Sequence, residues 1–582
     1  MTKNTLKKSS NILYKGFNKG FKGIQTFHNS YYKNLSQALC GILTLGVSVE
    51  HPMDLNFKQG VVVGLHNNKP VYYDTPLSTL IIAPPGSGKT AAVAIPNLLT
   101  LKSSVVVLDI KGELCDLTAG YRQQVLGNEI YIFNPLGDDN SLKFNPFDKR
   151  IVEKLNFDRK RRLAEEVSKT IFTSIDGKEG DSYWREQAGN LFAFYALYDL
   201  CVKQESFLFD LAFAPIQNFV PLIHPKSPYY RELYIHKVDQ DGNFILDDNN
   251  EPMLERDSSG NPILNTQANP ENLWYRQVSE QVYLDVNDPR NYDGTVNRLQ
   301  RDKKGNIIVE EGMLDPIVRN EANKWANSNE KEFASIRNMY SKFTQVFTSY
   351  PIKEATSSMS FEYEDLRRKN ISLYIKIAQT DIDILAPLIR VLLESIGKNL
   401  LLRESKKFNE RVYFILDEFV RFGKLPFLLE MPALSRSYGV VIMFITQSNA
   451  LIEKYYSKED ARIVNNTVAY RVVFKMNDLD YAKQLSEEIG KYTREKRNRS
   501  TEKNQVIFGG TSSYSEEGYE LVSVQDIMNI NKDEVIILVS GHYATPLKLK
   551  ANYYFKNKRL LKCLNIPLKP NEEVFKGLRK VS

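Results

Sequence analysis

Acidic residues are missing from the start of this 582-residue chain: none occurs before Glu50, while the same stretch holds Lys3, Lys7, Lys8, Lys15, Lys19, Lys22 and Lys33. Those seven lysines equal the formal net charge of +7, so the remainder carries 70 basic and 70 acidic groups. The basic character therefore belongs to an N-terminal arm, and bulk charge gives no broad basic face for nucleic acid. Cysteine is also scarce. Cys40, Cys115, Cys201 and Cys563 are too far apart for metal-ligand spacing, which predicts reduced thiols in a cytosolic protein. Long apolar runs are lacking as well: the longest near the start, Ala38 to Val49, is far short of the roughly 20 residues of a spanning helix. The lysine-rich lead before it argues against a secretory signal and leaves a short signal anchor as the lesser alternative.

At this length two or three structural units are expected. In the arm, taken as residues 1–50, Leu13, Phe17, Phe21, Ile24, Phe27, Tyr31 and Leu35 recur at gaps of three and four, with lysines between them. That is a basic amphipathic helix pattern, weakened by Gly16, Gly20 and Gly23. Its apolar stripe suits either a membrane surface or the body of the protein itself.

Apolar runs with β-branched residues occur at Leu80-Ile-Ile82, Val105-Val-Val-Leu108, Val412 to Leu416, Val440 to Ile445, Ala469 to Phe474 and Val535 to Val539. Such runs suit strands buried on both faces of a parallel sheet. The spacing predicts an α/β nucleotide-binding domain split between residues 51–150 and 400–550. Residues 151–399 form an inserted, mainly α-helical domain, and 551–582 a basic C-terminal tail. Within the insertion, residues 225–320 are polar and rich in turn formers. Asp239-Gln-Asp-Gly-Asn, Asp257-Ser-Ser-Gly-Asn and Asp302-Lys-Lys-Gly-Asn, each followed by β-branched residues, predict hairpins. A calcium loop fits poorly, because the glycine stands at the fourth position and no glutamate follows at the twelfth. Residues 491–520, with Arg494, Lys496, Arg497 and Arg499, read as a mobile loop, either solvated or lining a pore.

The strongest chemical signal is Ala83-Pro-Pro-Gly-Ser-Gly-Lys-Thr90 between a strand and a helix. Pro85, Gly86, Ser87, Gly88, Lys89 and Thr90 are the candidate nucleotide-binding residues. The glycines let backbone N–H groups curl around phosphate, Lys89 reaches the β- and γ-phosphates of ATP, and the Thr90 hydroxyl binds Mg²⁺. Val412-Tyr-Phe-Ile-Leu-Asp417-Glu418 ends a strand in two carboxylates, Asp417 for the metal and Glu418 to polarise water. Gln447 closes the next apolar strand, where a γ-phosphate sensor or a capped strand end are both readable. Arg436, nineteen residues after Asp417, reads from spacing alone as a surface arginine.

Together with Ile95-Pro-Asn-Leu-Leu99, Asp109-Ile-Lys-Gly-Glu113, Asn134-Pro, Asn145-Pro-Phe147, Asp417-Glu-Phe419 with Gly423, Thr446-Gln-Ser448 and Ala482 to Gly490, these motifs carry a resemblance. The chain resembles the type IV secretion coupling proteins of the TraG/TraD family, hexameric RecA-like ATPases related to FtsK-type translocases. The resemblance covers roughly residues 60–150 and 330–545. It implies a RecA-like P-loop ATPase domain, ATP and Mg²⁺ as cofactors, Arg436 as an arginine finger and Gln447 as nucleotide sensor. It further implies a homo-hexamer that hands relaxosome DNA with its relaxase, effector proteins, or both to type IV secretion channel components. Members usually carry N-terminal transmembrane helices, which are not found here. Peripheral attachment to the cytoplasmic face of the bacterial inner membrane is therefore expected, through the membrane surface or a separate membrane subunit. An FtsK-like DNA translocase and a non-translocating nucleotide-binding adaptor are the alternatives.

Overall fold

The computed structural model describes residues 47–49, 60–73, 75–137, 141–173, 182–224, 227–248, 252–280, 314–500 and 511–569. The arm, apart from Val47–Val49, and the third turn repeat at Asp302 lie outside the described residues.

Fourteen strands are present among them: β1 (Val47–Val49), β2 (Val61–His66), β3 (Lys69–Tyr73), β4 (Thr79–Ile82), β5 (Ser104–Asp109), β6 (Glu129–Phe133), β7 (Ile371–Lys376), β8 (Val412–Asp417), β9 (Val440–Thr446), β10 (Tyr470–Val473), β11 (Lys491–Ser500), β12 (Thr511–Glu520), β13 (Glu534–Val539) and β14 (Leu547–Lys550). Twelve of them make one sheet in the order β1-β3-β2-β14-β13-β10-β4-β9-β8-β5-β7-β6. From β10 to β6 every neighbouring pair is parallel; from β10 outward through β13 to β1 every pair is antiparallel. The predicted parallel sheet is thus present as a seven-stranded core with an antiparallel extension.

Side chains alternate across this sheet with the two-residue period of a strand. Ile81, Val105, Val107, Tyr413, Ile415, Val441 and Met443 pack with Val93, Ile95, Leu98 and Leu114 on one face. Leu80, Val106, Phe414, Leu416, Ile442 and Phe444 pack on the other, against helix Ile382–Leu400. With both faces covered, no polar alternation is needed, which is why the strands read as continuous apolar runs.

The second face continues into a helical body built from Phe157–Ile171, Ser182–Val202, Pro270–Glu280, Pro316–Ala326 and Glu330–Thr344. Its centre is aromatic, with Tyr195 stacked on Trp274 and Phe172 on Phe343. A charged group enters it: Glu271 accepts from the Tyr275 hydroxyl at 3.2 Å and from Arg337 at 3.0 Å. Burial raises the Glu271 carboxyl pKa, and the Arg337 charge opposes that rise.

Four features differ from the sequence expectation or sharpen it. Residues 371–376, within the span read as helical, are the strand β7, seated between β5 and β6. Six residues between two helical stretches carry too short a pattern to separate a buried strand from a buried helix segment. Residues 491–520 are not simply a loop: β11 and β12 form a separate antiparallel ribbon, with Arg494 opposite Glu517 and Arg497 opposite Tyr514. Backbone pairing of two strands requires no apolar alternation, so these residues carry no strand period to read. In the 225–320 block, two of the turn repeats are built alike. Asp239 accepts backbone N–H from Asp241 and Asn243 at 2.9 Å, and Asp257 does the same for Ser259 and Asn261. Gly242 and Gly260 take φ of 83° in these turns, as the tight reversal demands.

The fourth concerns the C-terminal segment. Residues 551–569 lie on the α/β domain rather than trailing from it. Leu560 is buried, Lys569 N–H donates to Gln123 at 2.8 Å, and Gln124 donates to the Pro567 carbonyl at 2.5 Å. Gly120, in helix Glu113–Gln124, meets this segment so closely that an added Cβ would overlap the carbonyl of Ile566. Gly120→Ala is therefore expected to lift residues 563–569 off the helix. Limited trypsin digestion would show faster cleavage at Lys562 than in the parent chain, with the rest of the digest unchanged.

Candidate functional site

Strand β4 delivers the chain at the sheet edge into residues 83–90. Gly86 and Gly88 adopt φ of 74° and 81°, a region glycine enters without the Cβ penalty of other residues. Ser87 closes the turn, its N–H and hydroxyl both donating to the Pro84 carbonyl at 3.2 and 2.6 Å. A π-helical turn, Thr90–Ala94, then leads into helix Ile95–Thr100. The widened turn suits Pro96, which has no N–H to donate and whose ring crowds the preceding turn. Asn97 anchors this helix: its amide donates to the Val62 and Val93 carbonyls and accepts from Val62 N–H at 2.7 Å.

Two further strand ends meet the loop. From β8, Asp417 accepts from the Thr90 hydroxyl at 3.2 Å. Glu418 follows with φ of 51°, a left-handed conformation that costs a non-glycine residue roughly 1–2 kcal/mol. One of its carboxylate oxygens, Oε1, receives both the Lys89 ammonium and the Gln447 amide, the latter at 3.0 Å. Gln447 sits just past β9, whose last residue, Thr446, takes the Ala83 N–H at 3.1 Å. Asp417 Oδ1 and Glu418 Oε2 are buried with no hydrogen-bond partner in the described residues. Burial pushes the Asp417 carboxyl up to about 6; the Lys89 charge opposes that rise and Glu418 adds to it.

These groups enclose a cavity of about 160 Å³. Its wall includes Asp109, whose carboxylate accepts the Cys115 N–H at 2.8 Å and so caps the following helix. Lys89, Thr90, Asp417, Glu418 and Gln447 thus stand together on one wall, and Ser87 and Gly88 shape the loop, while Pro85 and Gly86 stand exposed on its rim. Arg436 is not among the lining residues. It is exposed on a 3₁₀ turn, Ser435–Tyr438, which is held by Ser405 N–H on the Ser437 carbonyl and by Arg367 on the Tyr438 carbonyl.

Sequence reasoning missed two polar groups on the wall, Gln379 and Arg421. Gln379 lies three residues past β7, so recognising that strand would have marked it, since ligands bind beyond the carboxyl ends of parallel strands. Arg421 follows Glu418 by one turn in the 3₁₀ segment Phe419–Phe422.

A family model described as "Type IV secretory system Conjugative DNA transfer" matches residues 50–221 and 290–576. The chain is 24% identical over 498 residues to the protein VirD4 of Agrobacterium fabrum, covering 83% of this chain and 60% of that protein. It is 24% identical over 493 residues to the conjugal transfer protein TraG of Escherichia coli, covering 80% of this chain and 64% of that one. The chain therefore spans about 60% of the length of curated relatives it matches. Among solved structures, the bacterial conjugative coupling protein TrwBdeltaN70 in its unbound monoclinic form superposes with a TM-score of 0.53 at 15% identity, over 85% of this chain and 88% of that one. TrwB in complex with the ATP analogue ADPNP gives 0.51 at 14% identity, over 85% of this chain and 89% of that one. At such identities the structural likeness speaks for the fold.

The raised Asp417 pKa has a consequence for stability. The folded chain binds this proton more tightly than the unfolded chain does, so the contribution is present below the ordinary aspartate value of 3.8. It is lost as pH rises to about 6. A shift of about two units corresponds to about 3 kcal/mol. In denaturant unfolding of the nucleotide-free protein, Asp417→Asn should gain about that much relative to the parent between about pH 4 and pH 7. A flat difference would show that burial does not perturb this carboxyl.

Proposed function

The chain belongs to the family of type IV secretory system conjugative DNA transfer proteins, and from that premise we propose an ATP-driven coupling protein. It recruits a DNA–relaxase complex, effector proteins, or both to type IV channel components and helps move them. The observation that carries the ATPase part is the meeting of Lys89, Asp417, Glu418 and Gln447 beside a glycine-bearing loop at a helix start. TrwB, the structural neighbour, is described in complexes with ADPNP and with ADP and Mg²⁺.

The residues fit both groups. The buried, unpartnered Asp417 Oδ1 and the Thr90 hydroxyl beside it are hard oxygen donors of the kind Mg²⁺ takes. When bound, Mg²⁺ supplies positive charge against the phosphate oxygens. Before ATP enters, the Lys89 ammonium is neutralised by Glu418. With ATP bound, Lys89 would turn to the phosphates, leaving the Glu418 carboxylate to hold and polarise water. Gln447 already donates to Glu418, so it is placed to link the state of the phosphate to the orientation of that base.

Arg436 stands outside its own subunit's cavity, which supports a role in trans within a ring, a homo-hexamer by family resemblance. Among the described residues no helix is long and apolar enough to cross a membrane. Peripheral attachment at the cytoplasmic face of the inner membrane, through the basic arm on the membrane surface or through a separate membrane subunit, is the accompanying proposal. The family match does not favour an FtsK-like translocase or a non-translocating adaptor.

Two experiments test this. Arg436→Ala should lower ATP turnover about a thousandfold, the scale of a lost arginine finger, and Lys89→Ala should abolish it. Mixing the two variants should recover measurable turnover, because each supplies what the other lacks. No recovery in an assembled mixed ring would reject action in trans. DNA should stimulate the assembled ATPase with little sequence preference and less strongly as salt rises. Neutralising Arg494, Lys496, Arg497 and Arg499 on β11 should flatten that salt dependence. An assembled ring indifferent to DNA at low salt would leave protein as the cargo.

A further inference from the structure

Glu418 is followed by the short 3₁₀ segment Phe419–Phe422, three of whose four side chains belong to the core. Phe419, Val420 and Phe422 are each at 0% exposure. Arg421 is the exception: it is half-buried and stands on the wall of the cavity of about 160 Å³, with Lys89, Glu418 and Gln447. Its three anchored neighbours leave its backbone little freedom, and its N–H donates to the Glu418 carbonyl at 3.0 Å. A side chain carried on such a packed turn keeps its place relative to the site.

Among the described residues no carboxylate or carbonyl is paired with the Arg421 guanidinium. Glu418, one turn earlier, gives Oε1 to Lys89 and Gln447 and leaves Oε2 buried without a partner, so even this adjacent carboxylate does not hold it. A guanidinium presents its donors as a planar fork that matches the oxygens of a phosphate. Left uncommitted on the wall of a phosphate-sized cavity, it lacks the acceptor that a phosphate would supply.

The layout says which phosphate that is. On the β10 side the loop at residues 83–90 is covered by Tyr553, whose hydroxyl donates to the Ser87 carbonyl at 2.9 Å. The carboxylates, Gln447 and Arg421 come from the ends of β8 and β9, on the other side of β4. A polyphosphate held by the loop therefore extends toward Glu418. A carboxylate that polarises water must lie beyond the bond that breaks, so the groups around Glu418 meet the last phosphate.

We propose that Arg421 is a phosphate-binding residue of its own chain's site, its guanidinium donating to the terminal phosphate of ATP. This rests on the reading of residues 83–90 as a nucleotide site. The part is separate from that of Arg436, which stands outside this cavity: Arg421 acts in cis and distinguishes ATP from ADP.

The test is calorimetry on the full chain with Mg²⁺, comparing the non-hydrolysable ATP analogue ADPNP with ADP. Arg421→Ala should weaken ADPNP binding by about tenfold to a hundredfold, the scale of hydrogen bonds to charged groups. ADP binding should be unchanged, which also shows that the variant is folded. Arg421→Lys should lose less, since an ammonium keeps the charge without the fork, and it carries the comparison if Arg421→Ala fails to fold. An unchanged ratio of the two affinities, whether both fall or neither does, overturns the assignment. A ring mixed from Arg421→Ala and Lys89→Ala subunits should turn over no more ATP than its Arg421→Ala subunits do alone, because both lesions fall in the same site. Turnover above that level overturns action in cis. A parent chain that binds neither ADPNP nor ADP instead overturns the phosphate-loop reading itself.

Discussion

Parallel register among β4, β9 and β8 sets where everything else in the site can be. Ile82 is level with Thr446, and Asp417 is level with Ile445, so the three chains leave the sheet within one residue of each other. Lys89, Gln447 and the Asp417–Glu418 pair are carried to the same edge although Lys89 and Glu418 are 329 residues apart. A slip of one residue in β8 would turn Phe414 and Leu416 to the opposite face and carry Asp417 about 3.3 Å along the strand. The burial of both sheet faces makes such a slip costly, so the apolar core specifies the geometry of a polar site that it does not contain.

The sheet and its helices are also tied by buried polar groups that apolar packing alone would not position. Arg122 is fully buried and donates to Ser372 and to the carbonyls of Leu98, Leu101 and Ser103, at 2.6 to 2.9 Å. These are the last turn of helix Ile95–Thr100, the approach to β5, and β7. Helix C-termini leave carbonyls without partners, and a guanidinium there meets both the hydrogen-bond deficit and the negative end of the dipole. Burial lowers the Arg122 pKa to about 10, still far enough above neutrality to keep it charged. Arg390 does comparable work across the two bodies, donating to the Thr173 carbonyl at 2.9 Å beyond helix Phe157–Ile171.

Helix Ile382–Leu400 gives the site a physical continuation into the helical body. Its Glu394 accepts from the Thr170 hydroxyl at 2.9 Å on one side and from the Phe427 N–H at 3.4 Å on the other. Phe427 opens helix Pro426–Leu434, which follows the Glu418 turn and precedes the Arg436 turn. The candidate site and the helical body therefore share a chain of packed and hydrogen-bonded contacts, with one helix in both.

The phosphate loop, the carboxylate pair and most core strands were readable in the sequence because their signals are local. Glycine at left-handed positions, lysine and threonine at a helix start, and apolar runs ending in acids each announce their own conformation. Gln447 was readable for the same reason, as the polar residue that ends an apolar run. Tertiary structure alone decided which strands are neighbours, for equally apolar strands carry no local mark of partner or order. It placed β7 between β5 and β6, and with it Gln379 on the cavity wall. It joined Lys89 to Glu418, set Arg436 apart from its own cavity, and laid a lysine-rich C-terminal segment over the phosphate loop. Those outcomes depend on contacts between residues distant in sequence, whose energies arise only when a common core brings the segments together.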